Sequence, residues 1–414
     1  VRGALALIVL AAGVLPAAFA SAPVTVRIAT FNCSLNRPAE GGLRKSLSTR
    51  DDTQARAVAE IVQRVHPDVL LLQEFDYDAD GESVREFLAN YLSQEQHAGV
   101  TPMTFPYWFS APSNTGVPSG FDLDRNGHIG GGSDALGFGE FPGQYGMMVL
   151  SRYKIDAAAA RTFRKFLWRD MPDALLPVDP ATSAPWYTPE ALAVLPLSSK
   201  SHWDLPVHVG RTTLHLLISH PTPPAFDGAE DRNGKRNHDE IRFWSDYLEG
   251  AKYIRDDVGR AGGFAGKAFL IMGDQNSDPV DGASLHDGIG MLLRNARVDA
   301  SFVPQSAGGV EASRVQGGAN ATHQGDPRFD TADFNDRGAG NLRVDYLLPS
   351  KGLKVCGGGV FWPAQADSEA RLVWGDDPPP SSDHRLVWID LSVDGARCPP
   401  DSDPTASDPS HPGR

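Results

Sequence analysis

Strands that are apolar along their length and finish on a polar side chain constrain this chain more than any other feature. Phe269-Leu270-Ile271-Met272 is apolar throughout, as a strand covered on both faces reads. Gly273 interrupts the run, and Asp274 and Asn276 follow. Residues two apart on extended backbone point the same way, so the spacing predicts that Asp274 and Asn276 project together from a sheet rim into a cleft. An Asx-rich turn leaving a core strand is the alternative. Other strands end alike. Val24–Asn32 ends on Asn32, Asp68–Glu74 on Glu74 and Leu214–His220 on His220, while the strand 342–350 carries Asp345.

The intervening segments set the fold class. Val58, Ile61, Val62 and Val65 repeat at helical spacing over 55–65, until His66-Pro67 stops them. A strand, a helix and a strand thus occupy the first part of the domain, which is a layered α/β unit. Further helices are expected over 82–92, about 239–254 and 284–293. Strands are expected over 145–151, 360–362 and 386–393, and loop over 304–340. Residues 101–144 are rich in Gly, Pro, Asn and Ser, longer than an idle connection. Residues 157–205 form an insertion carrying Phe163, Phe166, Trp168, Trp186, Tyr187 and Trp203; a satellite core and a wall of a substrate pocket both fit it.

The formal net charge of −14 does not favour a broad basic face for non-specific nucleic-acid binding. A small anionic substrate is still admitted, because a bound metal can supply the positive field. Arg2, the apolar run 4–15, Pro16 and Ala18-Phe19-Ala20 have the layout of an export signal. The expected organisation is a signal peptide over 1–20, one domain over 21–397 and a disordered tail over 398–414, in a secreted or periplasmic protein. The apolar run is short for a membrane span, and no other stretch reaches that length. Of the three cysteines, Cys33 reads as a buried thiol. Cys356 and Cys398 could pair or stay free.

The strand ends collect Asn32, Glu74, His220, Asp274, Asn276, Asp345, Asp383 and His384. Carboxylates and amides without thiolate ligands suit a hard divalent cation, magnesium first, with manganese or calcium as the others. No paired-histidine zinc motif, P-loop or G-x-S-x-G elbow is present. Such a set meets the needs of phosphoester hydrolysis: neutralised phosphate charge, an oriented water and donors for the crowded oxyanion.

In order along the chain stand Phe31-Asn32, Leu72-Gln73-Glu74, Tyr145-Gly146 through Ser151, Ser219-His220, Gly273-Asp274-Gln275-Asn276, Arg343-Val344-Asp345-Tyr346 and Ser382-Asp383-His384. Together they resemble the endonuclease/exonuclease/phosphatase (DNase I-like) superfamily. The resemblance implies a four-layered α/β-sandwich of two packed mixed β-sheets flanked by helices. It implies a metal held by Glu74 with Asn32 and Asp383, and water oriented or deprotonated by Asp274. It further implies phosphate contacts from Asn276, acid–base work by His384 oriented by Asp345, and His220 beside the scissile phosphate. Some members carry Asn-x-Asp where this chain has Asn32-Cys33-Ser34, so Ser34 replaces a carboxylate.

Two loops add candidates. Asp227–Glu240 is dense in polar groups, and its place after His220 makes Arg232, Arg236, Asn237 and His238 candidates for binding substrate oxygens. Asp122, Asp124 and Asn126, with Gly127 sixth, match the first half of a calcium loop; Ser133 stands twelfth, with Asp134 beside it. A plain Asx turn fits as well. The expected function is a secreted metal-dependent phosphoesterase acting on a phosphorylated small molecule or phosphodiester. A nuclease, a sphingomyelinase-like phospholipase C and a non-catalytic metal-dependent module are the alternatives.

Overall fold

Side-chain alternation along a few central strands shows how the layers stack. The computed structural model describes residues 24–375 and 379–399. In the strand Ala268–Asp274, Leu270 and Met272 enter one core while Phe269 and Ile271 enter another. Thr212–Ser219 divides likewise, with Leu214, Leu216 and Ile218 on the first side and Leu217 on the second. The first core lies between two sheets, since Ile28, Leu71 and Val149 of the other sheet, on the same face as Gln73, share it. The second lies beneath helices, where Ile241, Trp244, Leu248, Ile289 and Leu292 meet the sheet's outer face. Each fully buried aliphatic side chain stabilises such a layer by roughly 1.5–3 kcal/mol.

One sheet has six strands, in the order Lys354–Val360, Val387–Val393, Val24–Asn32, Val69–Gln73, Met147–Ser151 and Tyr107–Ser110. The second runs Asp345–Pro349, Ala268–Asp274, Thr212–Ser219, His202–Val209 and Lys154–Ile155, with Arg161–Thr162 also paired to His202–Val209. Each sheet holds one parallel pair, Val24–Asn32 with Val69–Gln73 and Thr212–Ser219 with Ala268–Asp274, so both are mixed. The helix Thr53–Val65 covers the first sheet. Asp52 caps it by accepting the Ala55 N–H at 2.8 Å, and His66 ends it in left-handed backbone. The architecture is the expected α/β-sandwich of two packed mixed sheets with helices outside.

Register places the site. Asn32 lies opposite Gln73, and Asp345 lies opposite Asp274 on the neighbouring sheet. Gln73 ties the two sheets beneath them. Its Oε1 accepts from Thr30 Oγ1 at 3.2 Å and from the Asp274 N–H at 2.8 Å, and its Nε2 donates to the Ser219 carbonyl at 3.3 Å.

Several expected elements differ. The helix expected from 239 spans Arg232–Leu248, because the polar run at its start is buried and internally paired rather than solvated. Asp239 accepts the Trp168 indole N–H and the Leu175 N–H, each at 2.7 Å. Strand His202–Val209 was hidden inside the aromatic insertion by Pro206, which normally marks an edge or a non-strand. Tyr107–Ser110 is an edge strand within the long Gly/Pro segment, and Ala307–Gln316 is a helix within the expected loop. The insertion's aromatics are mainly core: Phe163, Phe166 and Trp168 are buried in the outer cluster and Trp203 between the sheets. Cys33 is a buried free thiol, and Cys356 is disulfide-bonded to Cys398. The expected signal segment and residues 400–414 of the expected tail lie outside the described residues. Among the described residues no helix is long and apolar enough to cross a membrane.

Candidate active site

Three strand ends turn sharply to present their polar residues. Ser34, Glu74 and Asn276 all adopt left-handed backbone, with φ of 49°, 56° and 49°. For a residue with a Cβ this costs on the order of 1 kcal/mol each, and the surrounding sheets hold it. Asn276 therefore does not continue an extended strand with Asp274, as the spacing suggested. The chain makes an Asx turn instead. The Asn276 N–H donates to Asp274 Oδ1 at 2.7 Å, and its side-chain amide donates to the Pro221 carbonyl at 3.1 Å.

Asp274 is the centre of the site. Its Oδ2 faces Asn32 Nδ2 at 3.1 Å, His220 Nε2 at 3.3 Å and His384 Nε2 at 3.6 Å. His384 Nδ1 lies 2.9 Å from Asp345 Oδ2, which also accepts from Thr331 Oγ1 at 2.8 Å. Asn32, His220, Asp274, Asp345 and His384 are each 4% exposed or less. Burial opposes a charge on His384, but Asp345 and Asp274 outweigh it and hold the imidazolium up to a pKa of about 10. Burial likewise opposes charge on Asp274, and His384 and His220 reverse it, keeping this carboxyl well below the usual range. Asp345 shifts the other way, because burial dominates over His384. The Phe334 ring meets His384 edge-on, at 5.3 Å between centroids.

The half-buried carboxylates lie beside this group. Glu74 Oε1 accepts from Asn32 Nδ2 at 3.1 Å and Oε2 from Asn36 Nδ2 at 3.0 Å. Asp383 Oδ1 is 3.5 Å from Ser34 Oγ. Glu74, Asp383, Asp274, Asn276 and His384 line one cleft of about 590 Å³, walled by Pro223–Phe226 and by Phe334 to Ala339. Oxygen donors that stay in contact with an open cleft fit a hard divalent cation, so Glu74 and Asp383 would hold one there. Asn32, as placed, donates its NH2 to Glu74 Oε1 and Asp274 Oδ2 and orients both. Asp274, Asp345 and His384 are also close enough together to share an ion. His384 Nδ1 is already hydrogen-bonded to Asp345, so that trio reads better as a His–Asp pair set beside Asp274.

The structure divides the four substrate candidates of the 227–240 loop. Arg232 and Arg236 line a second cleft that also reaches Glu74. Asn237 is fully buried and donates to the Thr222 and Gln275 carbonyls, each at 2.9 Å. It ties the chain after His220 to the chain after Asp274 and lines neither cleft. His238 is set against Asp239 and packs beside Gly288, away from both clefts. Asp122, Asp124 and Asn126 form Asx turns with one another's backbone. The carboxylates of Asp122, Asp124 and Asp134 lie within 4.8 Å of one another.

Asn36, Gln73, Thr331 and Lys200 belong to the site or its support and were not singled out from sequence. Only Gln73, preceding Glu74 on a buried strand, carried a visible signal, a polar side chain in an apolar run. Asn36 and Thr331 lie in loops whose partners, Glu74 and Asp345, come from elsewhere in the chain, and Lys200 lies in a loop inside the aromatic insertion.

Two packed mixed sheets with a carboxylate–histidine cluster and an acidic cleft at their shared rim define a class before any comparison is made. The comparison with family models gives the same class. The Endonuclease/Exonuclease/phosphatase family matches residues 29–384, and the chain belongs to that family. Solved structures with a similar course include an endonuclease/exonuclease/phosphatase from Beutenbergia cavernae, 14% identical, covering 89% of this chain and 72% of that one, TM-score 0.47. A family protein from Bacteroides thetaiotaomicron is 12% identical, covers 91% and 98% of the two chains and has a TM-score of 0.46. Sphingomyelinase C from Streptomyces griseocarneus is 15% identical, covers 89% and 98%, with a TM-score of 0.42. A search of curated proteins finds no match.

Proposed function

We propose that this chain is an exported, divalent-metal-dependent phosphoester hydrolase acting on a phosphorylated small molecule or phosphodiester. One observation carries the reading: Asp274 Oδ2 sits among Asn32, His220 and His384, at the edge of a cleft that also exposes Glu74 and Asp383. A cation held by Glu74 and Asp383, magnesium being the first choice, would neutralise phosphate charge and polarise the ester. Asp274, kept ionised by the His384 imidazolium and its contact with His220, offers an acceptor that orients a water and takes its proton as attack proceeds. His384, kept cationic by Asp345, donates to a phosphate oxygen and stabilises the charge that builds there. Asn276 and His220 add donors on the same side, and Thr331 fixes Asp345 behind them.

Export is supported by the Cys356–Cys398 disulfide, which belongs in an oxidising compartment. The net charge of −14 favours a small phosphoester over duplex DNA.

Hydrolysis of bis-p-nitrophenyl phosphate, p-nitrophenyl phosphate, plasmid DNA and sphingomyelin, each with magnesium or manganese and with EDTA, tests the proposal. EDTA should abolish turnover. Asp274→Ala should lower kcat by about 1,000-fold or more, the scale of losing a positioned catalytic group. Turnover that survives EDTA, or an Asp274→Ala protein as active as the parent, overturns the assignment.

A further inference from the structure

The family motifs leave unused a second cleft of about 490 Å³ that shares Glu74, Pro223 and Phe226 with the first. Its rim carries Phe226, left-handed at φ 65° and 90% exposed, which stands between the two clefts. Its apolar walls include Phe138, Tyr145, Tyr187 and Leu195. Its polar lining includes Lys200, Arg232 and Arg236.

Lys200 is the unusual member. It is 8% exposed, and its ammonium has neither a hydrogen bond nor an ion pair among the described residues, although it lines the cleft. Its charge thus meets the solvent of the cleft and no protein acceptor. The nearby carboxylates do not pair with it. Glu240 is taken up by the Ser199 N–H at 2.6 Å, the Ser199 hydroxyl at 2.9 Å and the Thr222 N–H at 2.6 Å. Glu74 is held by Asn32 and Asn36, and Asp274 by Asn32 and the two histidines. Arg236 braces the same wall by donating to the carbonyls of Leu136, Leu197 and Pro196. Arg232 pairs with Glu230 and faces the Trp186 ring at 6.0 Å. A lysine that feels Glu240, Glu74 and Asp274 only through space and makes direct contact with none of them, in a cleft that opens beside the candidate metal residue, is open to an anion.

We propose that this cleft is a specificity site for a second anionic group, such as a phosphate, carried by the same molecule whose phosphoester lies at Asp274. Lys200 supplies the principal charge, Arg232 and Arg236 the surrounding positive field, and the aromatic walls take the body of the molecule. The inference rests on the hydrolase reading for the first phosphate but not for binding in the second cleft.

The test is therefore a binding measurement on Asp274→Asn protein, with bis-p-nitrophenyl phosphate turnover by the parent chain scoring the hydrolase reading separately. Two ligand pairs share a skeleton and differ by one phosphate: fructose 1,6-bisphosphate with fructose 6-phosphate, and adenosine 3′,5′-bisphosphate with adenosine 5′-monophosphate. Calorimetry should show at least one bisphosphate binding about tenfold or more tighter than its partner. Adding Lys200→Met should remove that preference, and adding Arg232→Gln should reduce it. A Lys200 that only balances local charge would change stability without moving the ratio. Equal affinity within both pairs in the Lys200 protein overturns the proposal, whether or not Lys200→Met folds. So does a preference that survives Lys200→Met.

Discussion

His202 and His384 are both buried imidazoles, and their surroundings drive them in opposite directions. His384 faces two carboxylates and stays charged. His202 lies between Ser198 Oγ at 2.5 Å and the Glu240 carbonyl at 2.8 Å, both neutral partners. Burial therefore dominates and lowers its pKa from 6.5 to about 4, against an opposing pull from Glu240. A folded-state pKa below the unfolded value means that the unfolded chain binds the proton more readily. This contribution is present above pH 6.5 and is lost as pH falls toward about 4. The shift corresponds to about 3 kcal/mol. Urea unfolding across that window should show the loss, and His202→Gln should flatten this part of the pH profile; an unchanged profile would contradict the assignment. None of this is visible from the residue type, since both histidines follow a serine-rich stretch in an apolar neighbourhood.

Among elements, the strand Ala268–Asp274 shows how backbone geometry supports chemistry. Gly273 has φ +130°, and a Cβ there would lie 2.3 Å from the Ser219 carbonyl oxygen and 3.1 Å from Gln73 Nε2. A side chain would push the two parallel strands apart just before Asp274. Gly273→Ala should destabilise the fold by about 2–4 kcal/mol, from strain and overpacking together, and take hydrolysis with it. Thermal melting and turnover check this; an unchanged melting temperature would contradict it. The apolar runs made the central strands and the helix ahead of His66 legible, because burial on both faces and a 3.6-residue repeat leave local marks. Arg232–Leu248 was legible only in its second half. Its first turns are polar residues whose partners, such as Leu197 and Thr222, come from other parts of the chain.

At the scale of the whole molecule, Cys356–Cys398 secures the end of the described chain to the edge strand Lys354–Val360 across 42 residues. Closing a loop of that length stabilises the folded state by about 4 kcal/mol in the chain-entropy account. Neither cysteine lines the candidate active-site cleft. Reduction should therefore lower the urea midpoint while leaving turnover below that midpoint intact; loss of both together would place the disulfide closer to the site's integrity than its position suggests. The sequence by itself determined the layered α/β class and the order of its polar strand ends, because hydrophobic periodicity and the residues that stop it are local properties. It also carried Asn32, Glu74, Asp274, Asp345 and His384 as one set. The tertiary structure alone decided what surrounds them. Register set Asp345 beside Asp274, left-handed turns aimed Glu74 and Asn276, and packing buried Asn237 while leaving Lys200 unpaired. Those outcomes depend on contacts between residues far apart in the chain, where no local pattern records them.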